Sequence, residues 1–177
     1  MLNKDVVNVF DTERFEDERG FLSVIYDKGF PFDFEIRQIN QGYSKSAYTL
    51  RGMHFQEEPY SQAKIVTCLK GSMLSVAVDL HKGKTFGYAY SEVLSFENHK
   101  MMYIPRGFAH GYLTLEDDTL MQWCTDGDFC KEAAKAVRYD DRDIVWQGES
   151  WVKGVEYIIS EKDRNAMSLQ DHLRSHR

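Results

Sequence analysis

The sequence lacks any apolar run long enough to span a membrane, and its first residues, Met1-Leu-Asn-Lys-Asp5, lack the hydrophobic core of a signal peptide. It also lacks an excess of basic residues, since 22 Lys and Arg stand against 28 Asp and Glu for a net charge of -6. That balance argues against binding nucleic acid through a basic surface. We therefore expect a cytoplasmic protein with neither a membrane nor a nucleic acid as its partner.

Cysteine is also scarce, with only Cys68, Cys124 and Cys130 in the chain. Their number is odd and their spacing is not that of a zinc site, which fits a reducing compartment. We interpret each of them as a small apolar residue rather than as a reactive thiol.

Aromatic residues are abundant, at 14% of 177 residues, and favour strands. The length fits one domain, residues 1–177. Leu74, Val76 and Val78 alternate with small or polar residues, which is the period of a strand with one buried face. Together with similar short runs and glycine-containing turns, this predicts an all-β sandwich or barrel. Strands are predicted near residues 20–26, 34–40, 47–57, 63–69, 72–80, 86–94, 101–104, 109–115 and 119–126.

The C-terminal part has a different pattern. Ser160-Glu-Lys-Asp163 resembles a capping box, and Ala166, Leu169 and Leu173 follow at helical spacing. We therefore expect one or two short C-terminal helices.

Two histidines, His54 and His110, lie in segments that otherwise look like β core, and each has an arginine nearby, Arg51 or Arg106. Inside one barrel the two imidazoles can face a common cavity, although each histidine alone also fits a core position with its hydrogen bonds satisfied. His54 has no histidine partner two residues away, so the cluster of a metal-binding barrel is incomplete and we expect no metal. Cationic side chains can instead bind an anionic ligand such as a phosphate ester. The candidates are Arg19, Arg51, Lys64 and Arg106.

Eight segments of the chain occur in the order and spacing of a known family. They are Asp17-Glu-Arg-Gly-Phe21, Leu50-Arg-Gly-Met-His-Phe-Gln56, Gln62-Ala-Lys-Ile-Val66, Val76-Ala-Val-Asp79, Thr85-Phe-Gly87, Ile104-Pro-Arg-Gly-Phe-Ala-His-Gly111, Arg138-Tyr-Asp-Asp141 and Ile159-Ser-Glu-Lys-Asp163. Together they closely resemble the dTDP-4-dehydrorhamnose 3,5-epimerase family. The resemblance implies a cupin-type jelly-roll barrel that works without a metal or other cofactor and forms homodimers.

The resemblance also implies a role for individual residues. His54 matches the catalytic base, Asp163 the carboxylate that orients it, and Lys64 the lysine beside the C4 oxygen of the substrate. Asp163 keeps a helix-capping role as an alternative, and the two roles are compatible. The positions that match the substrate-binding part of the site are Arg19, Arg51, His110, Gln38, Asn40 and Gln56.

At one position the sequence departs from the family. The acid that protonates the opposite face is usually a tyrosine, and counting back from Arg138 places Trp123 there, with Phe129 at a second aromatic position. An indole N–H is not a practical general acid. No tyrosine occurs between Tyr112 and Tyr139, so water, Cys124 or Tyr139 are the alternative donors.

The resemblance therefore predicts an epimerase that acts on a nucleotide-diphospho-4-keto-6-deoxysugar, most simply a dTDP-sugar. It abstracts the α proton at C3, with C5 left open, and forms an enolate. A ketoisomerase or tautomerase that returns the proton to the same face is one alternative. A non-catalytic cupin that only binds the sugar nucleotide is another. The resemblance also predicts that the segment around Arg19 reaches the active site of the partner in the dimer.

Overall fold

Two largely antiparallel sheets face each other in the computed structural model of the chain, which describes residues 4–175. The elements are β1 (Asn8–Asp11), β2 (Phe15–Asp17), β3 (Gly20–Leu22), β4 (Gln38–Ser44), β5 (Thr49–Gln56), β6 (Lys64–Lys70), β7 (Ser72–Asp79), β8 (Tyr88–Ser95), β9 (Lys100–Ile104), β10 (Phe108–Thr114), β11 (Thr119–Thr125), β12 (Ala134–Ala136), β13 (Val145–Trp146), β14 (Ile158–Ile159), α1 (Glu161–Arg164) and α2 (Leu169–Ser175). This is the predicted cupin-type jelly-roll barrel with short C-terminal helices.

The strand order of the two sheets sets which strands face each other across the barrel. One sheet has the order β1-β9-β6-β11-β4, and the other has the order β12-β5-β10-β7-β8-β13, with β14 beside β5. β4 and β11 therefore face β5 and β10 across the interior. The hairpin of β2 and β3 forms a separate two-stranded sheet.

Apolar side chains pack in three layers, one between the two sheets and one on the outer face of each sheet. Val66, Met102 and Phe108 belong to the layer inside the barrel. The outer face of the seven-stranded sheet is covered by the C-terminal part of the chain, including Trp151 and Leu169. The alternating face of β7 (Leu74, Val76, Val78) belongs to this outer layer, while its other face is buried inside the barrel, so β7 is buried on both faces rather than on one.

The predicted strand at 34–40 is shifted, because β4 begins at Gln38. Phe30, Phe32 and Phe34 alternate as a strand would, but they pack as a cover on the outer face of the five-stranded sheet. Phe32 stacks on Tyr103 with ring centroids 3.9 Å apart. The alternation of these aromatic residues thus reflects one buried face of the segment, which does not pair with another strand. In the predicted strand at 20–26, only Gly20–Leu22 pairs.

The C-terminal prediction is confirmed in its main points. Ser160 caps α1, since the Asp163 backbone N–H donates to its Oγ at 3.1 Å. The second helix begins at Leu169, after Ala166, with the Leu169 N–H donating to Asp141 Oδ2 at 2.9 Å. That residues 1–177 form one domain stays a prediction, and residues 1–3 and 176–177 lie outside the described residues.

Candidate active site

A cavity of about 570 Å³ opens between β4, β5, β10 and β11. Four cationic side chains line it, namely Arg51, Lys64, Lys135 and Lys162, and its described lining includes no carboxylate. In a chain with a net charge of -6, this local excess of positive charge favours an anionic ligand.

A bulge in β5 directs two of the predicted residues into this cavity. His54 pairs with His110 and Arg51 pairs with Tyr112, so two residues of β5 stand opposite the single Gly111 of β10. Three positions apart on a regular strand, His54 and Arg51 would point to opposite faces, but the extra residue brings both to one face. Gly52 permits the bulge, because a Cβ there would lie 2.4 Å from the Gly111 Cα and its φ is +132°.

His54 and Asp163 form a hydrogen-bonded pair, with Nε2 2.7 Å from the carboxylate Oδ1. The imidazole is half exposed, whereas the carboxylate is 7% exposed and also accepts from the Gly52 N–H at 3.3 Å. Burial opposes ionisation of Asp163, but the hydrogen bonds from His54, Gly52 and Ser160 hold its pKa below the usual value. An ionised carboxylate only accepts, so Nε2 carries the proton and Nδ1 is the basic nitrogen of the neutral ring.

The backbone and the side chain of Asp163 make separate contacts. Its backbone N–H donates to the Ser160 hydroxyl, while its carboxylate contacts His54. Helix α1 therefore holds the carboxylate of Asp163 against the imidazole of His54.

Lys64 lies next to His54, because its Nζ donates to the His54 backbone oxygen at 3.2 Å. Burial lowers the pKa of this ammonium to about 8, so it is still charged at neutral pH. Lys64 is half-buried in the cavity lining, and a cation held in such a position is well suited to stabilise negative charge that develops on a nearby oxygen.

His110 is buried and is 3.0 Å from the Ser75 hydroxyl through Nε2. Burial, together with the charges of Lys64 and His54, holds the pKa of His110 well below the ordinary 6.5. It is therefore neutral at pH 7, and in the cavity it acts as a hydrogen-bonding group rather than as a cation.

Trp123 and Phe129 both line the cavity. Trp123 stands on the inner face of β11, between Val66 and Asn40 on the neighbouring strands. Arg51 is held near the same end, since it donates to the Tyr43 backbone oxygen at 3.2 Å.

The sequence profile of the dTDP-4-dehydrorhamnose 3,5-epimerase family matches residues 4–171. The chain belongs to this family. A dTDP-4-dehydrorhamnose 3,5-epimerase from Sinorhizobium fredii is 36% identical over 168 residues, which cover 92% of this chain and 85% of that protein.

Solved structures of epimerases share the fold of the whole barrel. The epimerase of Mycobacterium tuberculosis superposes with a TM-score of 0.89 at 30% identity, covering 99% of this chain and 90% of that one. ChmJ, a 3'-monoepimerase from Streptomyces bikiniensis in complex with dTDP-quinovose, gives 0.86 at 26% identity and covers 96% and 87%. The present protein is thus a sugar-nucleotide epimerase by family.

Two of the predicted cationic residues, Arg106 and Arg19, lie outside the cavity lining. Arg106 pairs with Asp126 at 2.9 Å, and both residues line a different cavity. Arg19 lies on the β2–β3 hairpin with its side chain 84% exposed, and it pairs with Asp17 at 2.5 Å. Neither residue adds charge to the site of its own chain.

Three further predicted substrate-binding residues also lie beyond the lining. Gln38 donates to Asn40 at 2.6 Å on β4, and Asn40 stands beside Trp123. Gln56 is buried and fully engaged, because it donates to the Tyr60 and Asp128 carbonyls and accepts from the Cys130 N–H at 2.7 Å. Its contacts hold the loop that carries Phe129, so the structure gives Gln56 a positioning contact rather than an open face.

Sequence reasoning did not identify three residues of the cavity lining, Tyr112, Lys135 and Lys162. Tyr112 lies two residues after His110 on one strand, so strand alternation alone predicts that both face the cavity. Lys162 is adjacent to Asp163 in the sequence, whereas Lys135 reaches the site through the pairing of β12 with β5, which no local pattern predicts.

Among residues 4–175, no group of three His, Cys, Asp or Glu side chains is arranged to hold a metal ion. No helix in the described part of the chain has the length and apolarity needed to cross a membrane.

Proposed function

We propose that this family member epimerises a nucleotide-diphospho-4-keto-6-deoxysugar, most simply a dTDP-sugar, by removing the proton at C3. The observation that carries the proposal is the His54–Asp163 pair at 2.7 Å, with the Lys64 ammonium beside it in a cationic cavity. Each of these groups supplies one requirement of the reaction.

The base requirement is met by His54. A ketone at C4 acidifies the neighbouring C–H bonds, because the carbanion delocalises onto the oxygen as an enolate. Nδ1 of His54 accepts the proton, and the Asp163 carboxylate on Nε2 stabilises the imidazolium that results. Lys64 stabilises the enolate oxygen, whose charge appears only as the proton leaves.

The diphosphate requirement is met by cationic side chains of the cavity lining. Arg51, Lys135 and Lys162 line the same cavity as His54. Charge-assisted hydrogen bonds from such groups bind phosphate oxygens strongly. The dTDP-sugar bound to the related 3'-monoepimerase supports a ligand of this class.

Inversion at C3 is proposed ahead of inversion at C5, because Trp123 stands at the position where the resemblance places the second-face acid. An indole N–H cannot supply that proton. Inversion at both C3 and C5 would require the sugar ring to bind in two poses, so that one donor can protonate both carbons. The indole of Trp123 in the cavity lining would leave less room for a second pose.

We also propose a homodimer in which the β2–β3 hairpin carries Arg19 to the partner's site. The hairpin exposes apolar rings and side chains, with Phe15 53%, Phe21 45% and Leu22 62% exposed. Phe15 and Leu22 pair across the two strands, while Phe21 lies on the other face of the hairpin. Exposed apolar side chains clustered in this way are typical of an interaction surface. β4 also ends the five-stranded sheet without a further strand on its outer side among the described residues.

Proton NMR in D₂O with several nucleotide 4-keto-sugars tests the proposal. Deuterium uptake at C3 together with inversion supports the epimerase. Uptake with retention at every carbon supports the tautomerase alternative. Binding without any uptake by the wild type leaves only a sugar-nucleotide-binding cupin and refutes the enzyme proposal.

The matched variant for this test is His54→Asn, which keeps a polar side chain at the position but removes the base. We expect it to bind the nucleotide sugar and to lose α-proton exchange. Exchange at the wild-type rate in a folded His54→Asn protein would exclude His54 as the base.

A further inference from the structure

Inversion at C3 requires a proton donor that faces the sugar from a side other than that of His54. Two donors suggested by the sequence lie elsewhere. Cys124 is on the outer face of β11, where it packs against the layer that covers the five-stranded sheet. Tyr139 packs against Trp151 and Tyr157 in the layer outside the seven-stranded sheet.

Tyr112 is a buried phenol in the cavity that the base-side chemistry does not use. It is 4% exposed and lines the cavity with His54 and His110. Its hydroxyl makes no hydrogen bond of good geometry among the described residues, although the Ser44 and Arg51 side chains lie close to it. Buried hydroxyl groups are normally hydrogen-bonded, so an unpartnered one in a ligand cavity points to a ligand as its partner. The other tyrosine in the lining, Tyr43, already donates its hydroxyl to Asp118.

The hydroxyl of Tyr112 lies on the far side of the barrel from its own strand. From β10 its side chain crosses the barrel to Gly42 on β4, and a Cβ on Gly42 would lie 3.1 Å from the hydroxyl oxygen. That Cβ on Gly42 would also lie 3.5 Å from Cζ3 of Trp123. The phenol therefore ends next to the indole at the predicted acid position. Its hydroxyl approaches the opposing sheet, whereas His54 enters from β5 beside α1.

We propose that Tyr112 is the residue that protonates the enolate carbon on the face opposite His54, an inference that rests on the proposed epimerase function. The Tyr112 O–H bond breaks and a C–H bond forms at C3, while the enolate electrons return to restore the C4 ketone. The phenolate regains a proton from solvent as the product leaves. The proton held by the His54 imidazolium also passes to solvent, so the cycle is balanced.

The surroundings of Tyr112 suit a donor. Burial raises the pKa of its hydroxyl, which keeps the phenol protonated at neutral pH, while the nearby Arg51 and Ser44 act in the opposite direction. Arg51 is the direct cross-strand neighbour of Tyr112 and can stabilise the transient phenolate. The carbanionic form of the substrate is far more basic than a phenolate, so the transfer is downhill.

The test compares Tyr112→Phe with the wild type on a dTDP-4-keto-6-deoxysugar in D₂O. We expect C3 inversion to fall by about 10²- to 10⁴-fold, the usual contribution of general acid catalysis. Exchange at C3 with retention should persist, because His54 still removes and returns a proton on its own face. The thermal midpoint should stay equal or rise, since an unpartnered buried hydroxyl is replaced by hydrogen.

Tyr90→Phe is the matched control, because Tyr90 packs inside the same barrel but does not line the cavity. Its rates should equal those of the wild type. Wild-type inversion by Tyr112→Phe would overturn the proposal for Tyr112 and leave the epimerase function standing. An equal loss of exchange and inversion would also overturn it, because a pure donor is not needed for deprotonation. A wild type without any exchange would instead refute the epimerase function, and the inference with it.

Discussion

Replacing Asp163 by Asn separates the orienting role of this residue from its place in the helix cap. The substitution keeps the shape of the side chain and the backbone N–H that donates to Ser160, but removes the charge 2.7 Å from His54 Nε2. Without the carboxylate, the imidazole can present the wrong tautomer and its imidazolium loses a buried counter-charge. The base should therefore be weakened while the fold is retained.

The expected magnitude follows from the geometry of the pair. Hydrogen bonds to charged groups contribute about 1.5–3 kcal/mol, and the carboxylate is only 7% exposed, so solvent screens this one little. Since each 1.36 kcal/mol of barrier is tenfold in rate, exchange at C3 should fall by about 10- to 100-fold. The assay is deuterium uptake at C3 followed by NMR, with thermal unfolding measured on the same samples.

Ser160→Ala is the matched control, because it removes the cap and leaves the carboxylate. It should cost about 1 kcal/mol of stability, with a smaller loss of exchange than Asp163→Asn. The reasoning is refuted if Asp163→Asn exchanges at the wild-type rate and loses only stability, for then Asp163 would serve the helix alone.

Three further predictions concern the cations. Because the pKa of Lys64 is about 8, its ammonium is present below that pH and lost above it, so the rate of exchange at C3 should decline as the pH rises through 8. The Lys64→Arg variant should keep its full exchange rate to higher pH. An unchanged pH profile in this variant would exclude Lys64 as the group that stabilises the enolate. Lys162→Gln should weaken binding of dTDP by about fivefold in calorimetry, as expected for one exposed charge, whereas Lys84→Gln should not. Arg19→Ala should weaken dTDP binding if the dimer forms, and sedimentation showing an active monomer would contradict the shared site.

The class of the fold and the family could be predicted from the residues alone. Two-residue alternation in Leu74, Val76 and Val78 predicts a strand, and the structure has one there, because the side-chain period is a local property of the backbone. The eight segments that match the family identify His54, Lys64 and Asp163 as candidates. The same alternation misplaces β4, since an alternating aromatic run reports a buried face and not a partner strand.

Which of these residues come into contact depends on the packing of distant parts of the chain. His54 and Asp163 are 109 positions apart, and they come into contact because α1 packs beside β5. Arg51 joins His54 through a bulge that depends on the close approach of Gly52 and Gly111. The unpartnered hydroxyl of Tyr112 is likewise invisible in the sequence, because whether a buried group finds a partner depends on side chains from other strands. Local pattern specifies the elements, whereas long-range packing specifies the site.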